Sequence, residues 1–376
     1  MQVEIGKNTK QAEGFSAFVL NPFPPKGIFD FPQDIYLKTA KADRLVGKLD
    51  GITHTLPDVE FFLSMFVRKD AASSAQIEGT KATIVDALEK EAGVATKETD
   101  ADDIIYYIHA LNYGIERLND FPLSLRLIRE IHEKLMTGAR STHFSDPGQF
   151  RKSQNWIGGT SPQNALFVPP PVNEMNNALS DFEKFLHDEK NVLPLLHIGL
   201  MHAQFETIHP FLDGNGRTGR LLISMLLCHR HMLERPVLFL SSYFKKHQKV
   251  YYQKLNEYHD GDIGSWINFF IDGVIETAQD SINVSKEITA VREEDIKKIQ
   301  ALAKRESESS TLVLQNLYRQ PIVSSKTIME WTGFSRAGAI KVIDRFVDLG
   351  ILEQKDEKET YDRTYVYRRY IDVFLK

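Results

Sequence analysis

The chain has 376 residues, 42% of them hydrophobic and 26% charged, with a formal net charge of -5. That length suffices for two or three domains with a sizeable core, and the composition is that of an ordinary globular protein. It excludes a global attraction for nucleic acid or anionic membrane, while leaving room for a local basic face. No apolar run is long enough to span a bilayer, and the polar start, Met1 to Gln11, lacks a charged-then-apolar leader, so a cytoplasmic protein without membrane association is expected. The single Cys228 permits no internal disulfide and, within an apolar helical pattern, reads as inert core.

Residues 12 to 56 carry scattered prolines and a mixed helical segment around Ile35 to Lys48, the pattern of an N-terminal docking arm. A helix is predicted from Pro57, with Phe61, Phe62, Met65 and Phe66 on one side, ending at Gly79, which fits the position after a helix C-terminus. Glu78 would then lie in the last turn. A carboxylate there opposes the macrodipole by roughly 0.3 to 1 kcal/mol, so it is either a solvated surface acid or paired with a cation elsewhere. Helices follow at Ile84 to Glu91, Ile104 to Leu118 and Ser124 to Met136. Between Gly148 and Pro171, Trp156-Ile157-Gly158-Gly159 and Leu166-Phe167-Val168 predict two short strands around a loop at Gly158 to Asn164, a hairpin flap. Helices resume at Asn173 to His187 and Leu193 to Ile208, then at Tyr243 to His259 and Trp266 to Ile275, with a charged helix from Val284 to Lys304. In the tail, helices are expected at Ser324 to Trp331 and Ser335 to Leu349, with Gly350-Ile351-Leu352 and Tyr365-Val366-Tyr367 as candidate strands, a pattern similar to a winged helix-turn-helix unit. From Ala301 to Lys376 there are 13 basic against 11 acidic residues, a balance that leaves DNA contact and protein contact both open.

The chemistry concentrates in His209-Pro210-Phe211-Leu212-Asp213-Gly214-Asn215-Gly216-Arg217-Thr218-Gly219-Arg220. Asn215 between two glycines allows a tight turn whose amides form an anion nest. Leu221, Leu222, Met225 and Leu226 recur at helical spacing, which places that nest at a helix N-terminus, where phosphate is favoured. Asp213 before it, with Arg217 and Arg220 after it at i and i+3, completes a site suited to a polyphosphate and a divalent cation. His209 adds a group able to take a proton near neutral pH. Taken singly, each of these residues reads as a cap or a satisfied core group. Zinc is disfavoured by the spacing of His197, His202, His209, His229 and His231, and a Walker loop by the absence of Gly-Lys-Ser or Gly-Lys-Thr.

The twelve residues resemble the Fic family motif, in which His, Phe, an acid, Gly-Asn-Gly-Arg and a final Arg stand at these spacings. The resemblance implies an all-α, Fic-type helical core with a short β-hairpin flap, beside the small C-terminal winged helix-turn-helix (α+β) domain. It implies transfer of AMP from ATP to a Ser, Thr or Tyr hydroxyl of a target protein, and of the enzyme itself. By the same resemblance His209 is the general base and Asp213 holds Mg2+. Gly214, Asn215 and Gly216 hold the phosphates, with Asn215 on the α phosphate, and Arg217 and Arg220 fix the β and γ phosphates. Thr218 and Gly219 lie within the same nucleotide-binding run. Gly216 stands where the Doc branch has lysine, which favours adenylyl over phosphoryl transfer. Ser74-Ala75-Gln76-Ile77-Glu78-Gly79 resembles the family's inhibitory helix, so Glu78 would pair with Arg220 and withdraw it from the γ phosphate. A competition of about 3 kcal/mol would cost productive ATP binding roughly two orders of magnitude. Ile157, Gly158 and Val168 resemble the flap that takes a target segment as an added strand. Tyr251 and Tyr252 resemble a pair near adenine, with core packing as the alternative for either. Alternatives to AMP transfer are removal of AMP from a modified target using Glu78, and a DNA-binding regulator that keeps the pocket as a nucleotide sensor. The expected domains are an N-terminal helical region at 1–100, a catalytic core at 101–283, a helical linker at 284–311 and the winged unit at 312–376. Homodimerisation is a further expectation of the resemblance.

Overall fold

The computed structural model describes residues 2–55, 59–94, 100–138, 146–188, 192–356 and 363–375. The fold is helical. α1 (Gln33–Thr55) and α2 (Val59–Ile77) precede α3 (Ile84–Glu91), α4 (Ala101–Arg117) and α5 (Leu125–Met136). The expected start at Pro57 and the side chain of Phe61 lie outside the described residues. Next come α6 (Val172–Leu186), α7 (Pro194–Ile208) and α8 (Asn215–His229), followed by α9 (Ser241–Lys246), α10 (Gln248–His259) and α11 (Ile263–Gln300). Among the described residues no helix is long and apolar enough to cross a membrane.

α7 is the axis of the core. Pro194 opens it at the first helical position, where a missing N–H costs nothing. Every residue from Leu195 to Ile208 is buried, polar ones included, so its histidines must bond internally. His197 Nε2 meets Phe185 O at 2.8 Å, and the Trp266 indole of α11 donates to Gly199 O at 2.8 Å. α8 packs beside α7, and α4, α5 and α2 close round α8.

Several elements differ from expectation. The N-terminal arm contains an antiparallel hairpin, β1 (Gly6–Lys10) and β2 (Ser16–Leu20), whose Phe18 N–H donates to Val168 O. The flap is not a ladder: one bridge, Ile157 to Phe167, joins its limbs. Its tip closes instead on the Asn164 side chain, which accepts from the Thr160 and Ser161 amides. The helix expected from Tyr243 to His259 breaks at His247 (φ -111). The break lets α9 and the start of α10 grip α2, through Ser73 Oγ to Ser242 Oγ at 3.1 Å and Gln248 Nε2 to Ile77 O at 3.0 Å. The helices expected at Trp266 to Ile275 and Val284 to Lys304 form one continuous α11, capped by the Asp262 side chain on Ser265 N. No proline and, after Gly273, no glycine interrupts it, and it runs through the expected boundary at 283.

Beyond α11 lie α12 (Lys304–Arg319), β3 (Ile322–Ser324), α13 (Ser325–Thr332), α14 (Arg336–Asp348), β4 (Glu353–Gln354), β5 (Thr364–Val366) and α15 (Arg368–Leu375). The three strands pair antiparallel in the order β3-β5-β4. Ser324 caps α13 and Gly333 ends it in the left-handed conformation (φ 69). This unit is fastened to the rest: buried Asp295 of α11 accepts from the Tyr367 hydroxyl, and Phe374 packs edge-on against Phe66 of α2 at 5.4 Å.

Candidate functional site

His209 ends α7 in the left-handed conformation (φ 49, ψ 60), which a non-glycine residue adopts only under constraint. The constraint is two side chains on its carbonyl: Arg151 Nε at 3.0 Å and Asn155 Nδ2 at 3.1 Å. The buried Arg151 guanidinium also reaches Ser153 O and Pro170 O, tying the flap's two limbs to the loop. Burial lowers its pKa to about 10, so it stays charged at neutral pH.

The loop that follows is clasped from beneath. Phe211 is fully buried and stacks on His132 at 3.7 Å. Asn215 Oδ1 accepts from Phe211 N, and its Nδ2 donates to Phe211 O, both at 2.8 Å. His132 accepts at Nδ1 from Gly148 N, so its Nε2–H donates to Asp213 O at 2.9 Å. Burial lowers the His132 pKa to about 4. Gly214 (φ 76) has Met136 Sδ 2.6 Å from where a Cβ would stand, so the turn requires glycine.

His209 is neutral: burial pulls its pKa down to about 4. Its Nδ1 lies 3.2 Å from Glu206 O, which fixes the proton on Nδ1 and leaves Nε2 as the acceptor. That is the state a general base needs.

Arg220 is the best-held cation of the site. Its Nη2 meets Glu78 Oε1 at 2.6 Å, and its Nε and Nη2 meet Ser74 Oγ and O at 2.9 and 3.1 Å. Burial would lower the guanidinium's pKa, but the charges of Glu78, Tyr251 and Glu206 outweigh it and raise the pKa. Glu78 follows the last turn of α2, so the cation foreseen as its partner is Arg220. The same carboxylate oxygen stands 2.3 Å from where a Cβ on Gly216 would be. A carboxylate thus lies over the first turn of α8, where the helix dipole favours an anion. Arg217 Nη2 lies 3.8 Å from Asp213 Oδ1, and its Nη1 4.0 Å from Asp103 Oδ1 of α4.

Several of the expected ligand groups are also engaged with the scaffold. Both ends of the Asn215 side chain are engaged with Phe211, which leaves its backbone N–H and the second Nδ2 hydrogen as donors for an α phosphate. The Thr218 side chain is buried and its N–H is bonded to Gly214 O. Gly219 makes room for Glu206, whose Oε1 lies 2.5 Å from where a Cβ would stand. Tyr251 is buried, stacked on Phe244, with its hydroxyl 2.9 Å from His202 Nε2; it is a core residue. Tyr252 is half exposed, with Glu78 and Arg220 acting on its hydroxyl. In the flap, Ile157 and Gly158 sit on the bridged limb, while Val168 O is taken by Phe18 N. Phe167 stacks on His259 at 4.1 Å, and His259 Nε2 meets Thr207 Oγ1 of α7.

Arg151, Asn155, His132, Asp103 and Glu206 belong to the site but carry no motif. Glu206 was within reach of the sequence, three residues before His209 on a helix. The others approach through tertiary contacts alone.

The donors fit magnesium. The Asp213 carboxylate is 43% exposed and uses Oδ1 on Gly214 N at 2.6 Å. Magnesium is commonly held by one or two carboxylates plus substrate phosphates. Among the described residues no group of three or more His, Cys, Asp or Glu gathers into a metal cage.

Fold and site together define a helical protein with an anion cradle at a helix N-terminus, a neutral histidine beside it and an acid across its rear arginine. Residues 36–116 match the Fic/DOC family N-terminal region and residues 122–227 the Fic/DOC family. The chain belongs to that family. A protein adenylyltransferase Fic from Culex quinquefasciatus is 30% identical over 191 residues, 49% of this chain and 35% of the relative. One from Aedes aegypti is 31% identical over 194 residues, again 49% and 35%. The chain thus spans about a third of the length of these relatives. A Fic family protein from Desulfovibrio desulfuricans shares the fold, with a TM-score of 0.56 at 17% identity over 90% of this chain and 96% of that one. Fic-1 from C. elegans does so at 0.52 and 21%, over 67% and 73%.

Proposed function

We propose that the protein transfers AMP from magnesium-bound ATP to a Ser, Thr or Tyr hydroxyl of a target protein and of itself, and that Glu78 restrains the reaction. The observation that carries this is the Glu78 carboxylate, 2.6 Å from Arg220 and against Gly216, in the place a terminal phosphate would need. The hydroxyl loses its proton to His209 Nε2 as its oxygen bonds the α phosphorus and the bond to pyrophosphate breaks. Backbone amides from Gly214 to Gly216 and the guanidinium groups of Arg217 and Arg220 position the phosphates, which phosphoryl-centre chemistry requires more than covalent help. Asp213 would hold magnesium, which supplies charge neutralisation on the phosphates. A target segment laid along the flap at Ile157 and Gly158 would bring its hydroxyl to His209.

Names of relatives at about 30% identity agree with AMP transfer. The test is incubation with α-labelled ATP and magnesium: strong self-labelling in Glu78→Gly, weak labelling in wild type and none in His209→Ala. Equal labelling of the last variant would overturn the mechanism. Hydrolytic removal of AMP is a second reading, favoured by the half-exposed Glu78, which uses only Oε1 on Arg220 and could orient a water with Oε2. AMP loss from a modified target that disappears in Glu78→Gly supports it. Residues 312–376 we read as a winged helix-turn-helix unit for DNA or protein contact.

A further inference from the structure

We propose that Glu206 is the positioning residue of His209: its carboxylate takes up the ring's Nδ1–H as the histidine becomes charged. The inference rests on the reading of His209 as the base.

The geometry is specific. Glu206 lies in the last turn of α7, 8% exposed, with Oε2 3.9 Å from His209 Nδ1. Its Oε1 is buried without a hydrogen-bond partner. A buried carboxyl oxygen without a hydrogen-bond partner is costly. The fold nevertheless reserves its place, because any side chain at Gly219 would collide with Oε1. In the resting site Nδ1 is held by its own turn's carbonyl at 3.2 Å, a long contact that a small ring rotation would exchange for the carboxylate.

The charged and titratable groups around the pair come from three helices and three loops. Glu206 faces Arg220 of α8, Glu78 beyond α2, and Tyr251 and Tyr252 of α10. His202, on its own helix, approaches the same Gly219. His209 feels the charges of Glu78, Arg151 and Asp213, and its own charge acts on His259. Burial pushes the Glu206 carboxyl up to about 7; Arg220 lowers it and Glu78 raises it. Withdrawal of Glu78 therefore favours the ionised form. The attacking hydroxyl's proton moves to His209 Nε2, the imidazolium shares its Nδ1–H with the Glu206 carboxylate, and the proton leaves Nε2 for solvent after pyrophosphate departs. Glu206 acts through the base and not on the reacting atoms.

The test compares the full chain carrying Glu78→Gly with the same chain carrying also Glu206→Gln or Glu206→Asp. AMP transfer from α-labelled ATP is followed from pH 5.5 to 8.5, and the His209 ring is titrated by 15N NMR. Expected for Glu206→Gln is a ten- to hundredfold lower kcat, a KM for ATP within twofold, loss of the activity rise below pH 7, and a His209 pKa lower by about one unit. Glu206→Asp should restore the pH limb and part of kcat. A kcat-pH profile and ring titration in folded Glu206→Gln indistinguishable from the parent would overturn the proposal. Absence of transfer in the Glu78→Gly parent would instead overturn the function on which it rests.

Discussion

The cradle has a floor and a lid, and they are held by different means. The floor is a set of buried, mutually satisfied groups: Arg151 and Asn155 on the His209 carbonyl, Asn215 on Phe211, His132 on Asp213. The lid is a single carboxylate, 40% exposed, on an arginine whose other partners belong to the same α2 turn. Buried hydrogen bonds are expensive to break because the group left behind stays dry, whereas an exposed carboxylate is rehydrated when it leaves. On the proposed function, the phosphate site is built in advance and the obstruction is removable.

This contrast gives graded expectations. The floor contains neutral histidines whose folded pKa values lie below their unfolded value: His132 and His209 at about 4, His202 and His259 at about 3, all lowered by burial. Their contribution is fully present above pH 6.5 and is lost as pH falls toward the folded values. Between pH 7.5 and 5.5 each costs roughly 1.4 kcal/mol, opposed by about 2 kcal/mol from Glu206, which binds its proton more tightly when folded. Urea unfolding should show stability lower by about 3 to 4 kcal/mol at pH 5.5; equal midpoints would mean that the floor is not dry. Arg151→Ala removes a donor from three carbonyls, of which only His209 O keeps another in Asn155, and should cost about 3 kcal/mol, together with AMP transfer in the Glu78→Gly background. An unchanged melting temperature would place His209's conformation under other control. Asn155→Ala removes donors from His209 O and Phe211 O and should cost about 2 kcal/mol by chemical denaturation. On the lid, Ser74→Ala removes one of three contacts to Arg220. It should raise AMP transfer about fivefold, corresponding to ~1 kcal/mol, with little change in stability. A fall in activity would show that Ser74 serves the open state instead.

Legibility in the sequence followed the range of the forces involved. α3 appears at Ile84–Glu91 as read, because its capping residue Thr83 and its apolar periodicity are local. Gly79 and Gly333 ended helices where expected for the same reason. The N-terminal hairpin was missed because its pairing with the flap at Val168 lies 150 residues away in sequence. The flap looked like two strands because its residues favour extension, but only one bridge forms and the rest of its support comes from Arg151 and Gln154. The break at His247 is decided by the α2 contacts of Ser242 and Gln248, which no periodicity reveals.

The sequence alone determined the cradle: two glycines about Asn215, an acid before, two arginines after and a histidine at the end of an apolar helix are local chemistry at fixed spacing. Tertiary structure decided what those residues do now. Asn215 serves the loop, because Phe211 lies within its reach in the folded turn. Tyr251 serves the core, and Tyr252 faces the site. Glu78 lies over Gly216, because α9 and α10 hold the end of α2 against α8. Burial set the charge states: whether His209 is neutral and whether Glu206 can ionise depend on the surrounding dielectric, which exists only when the chain has closed around them.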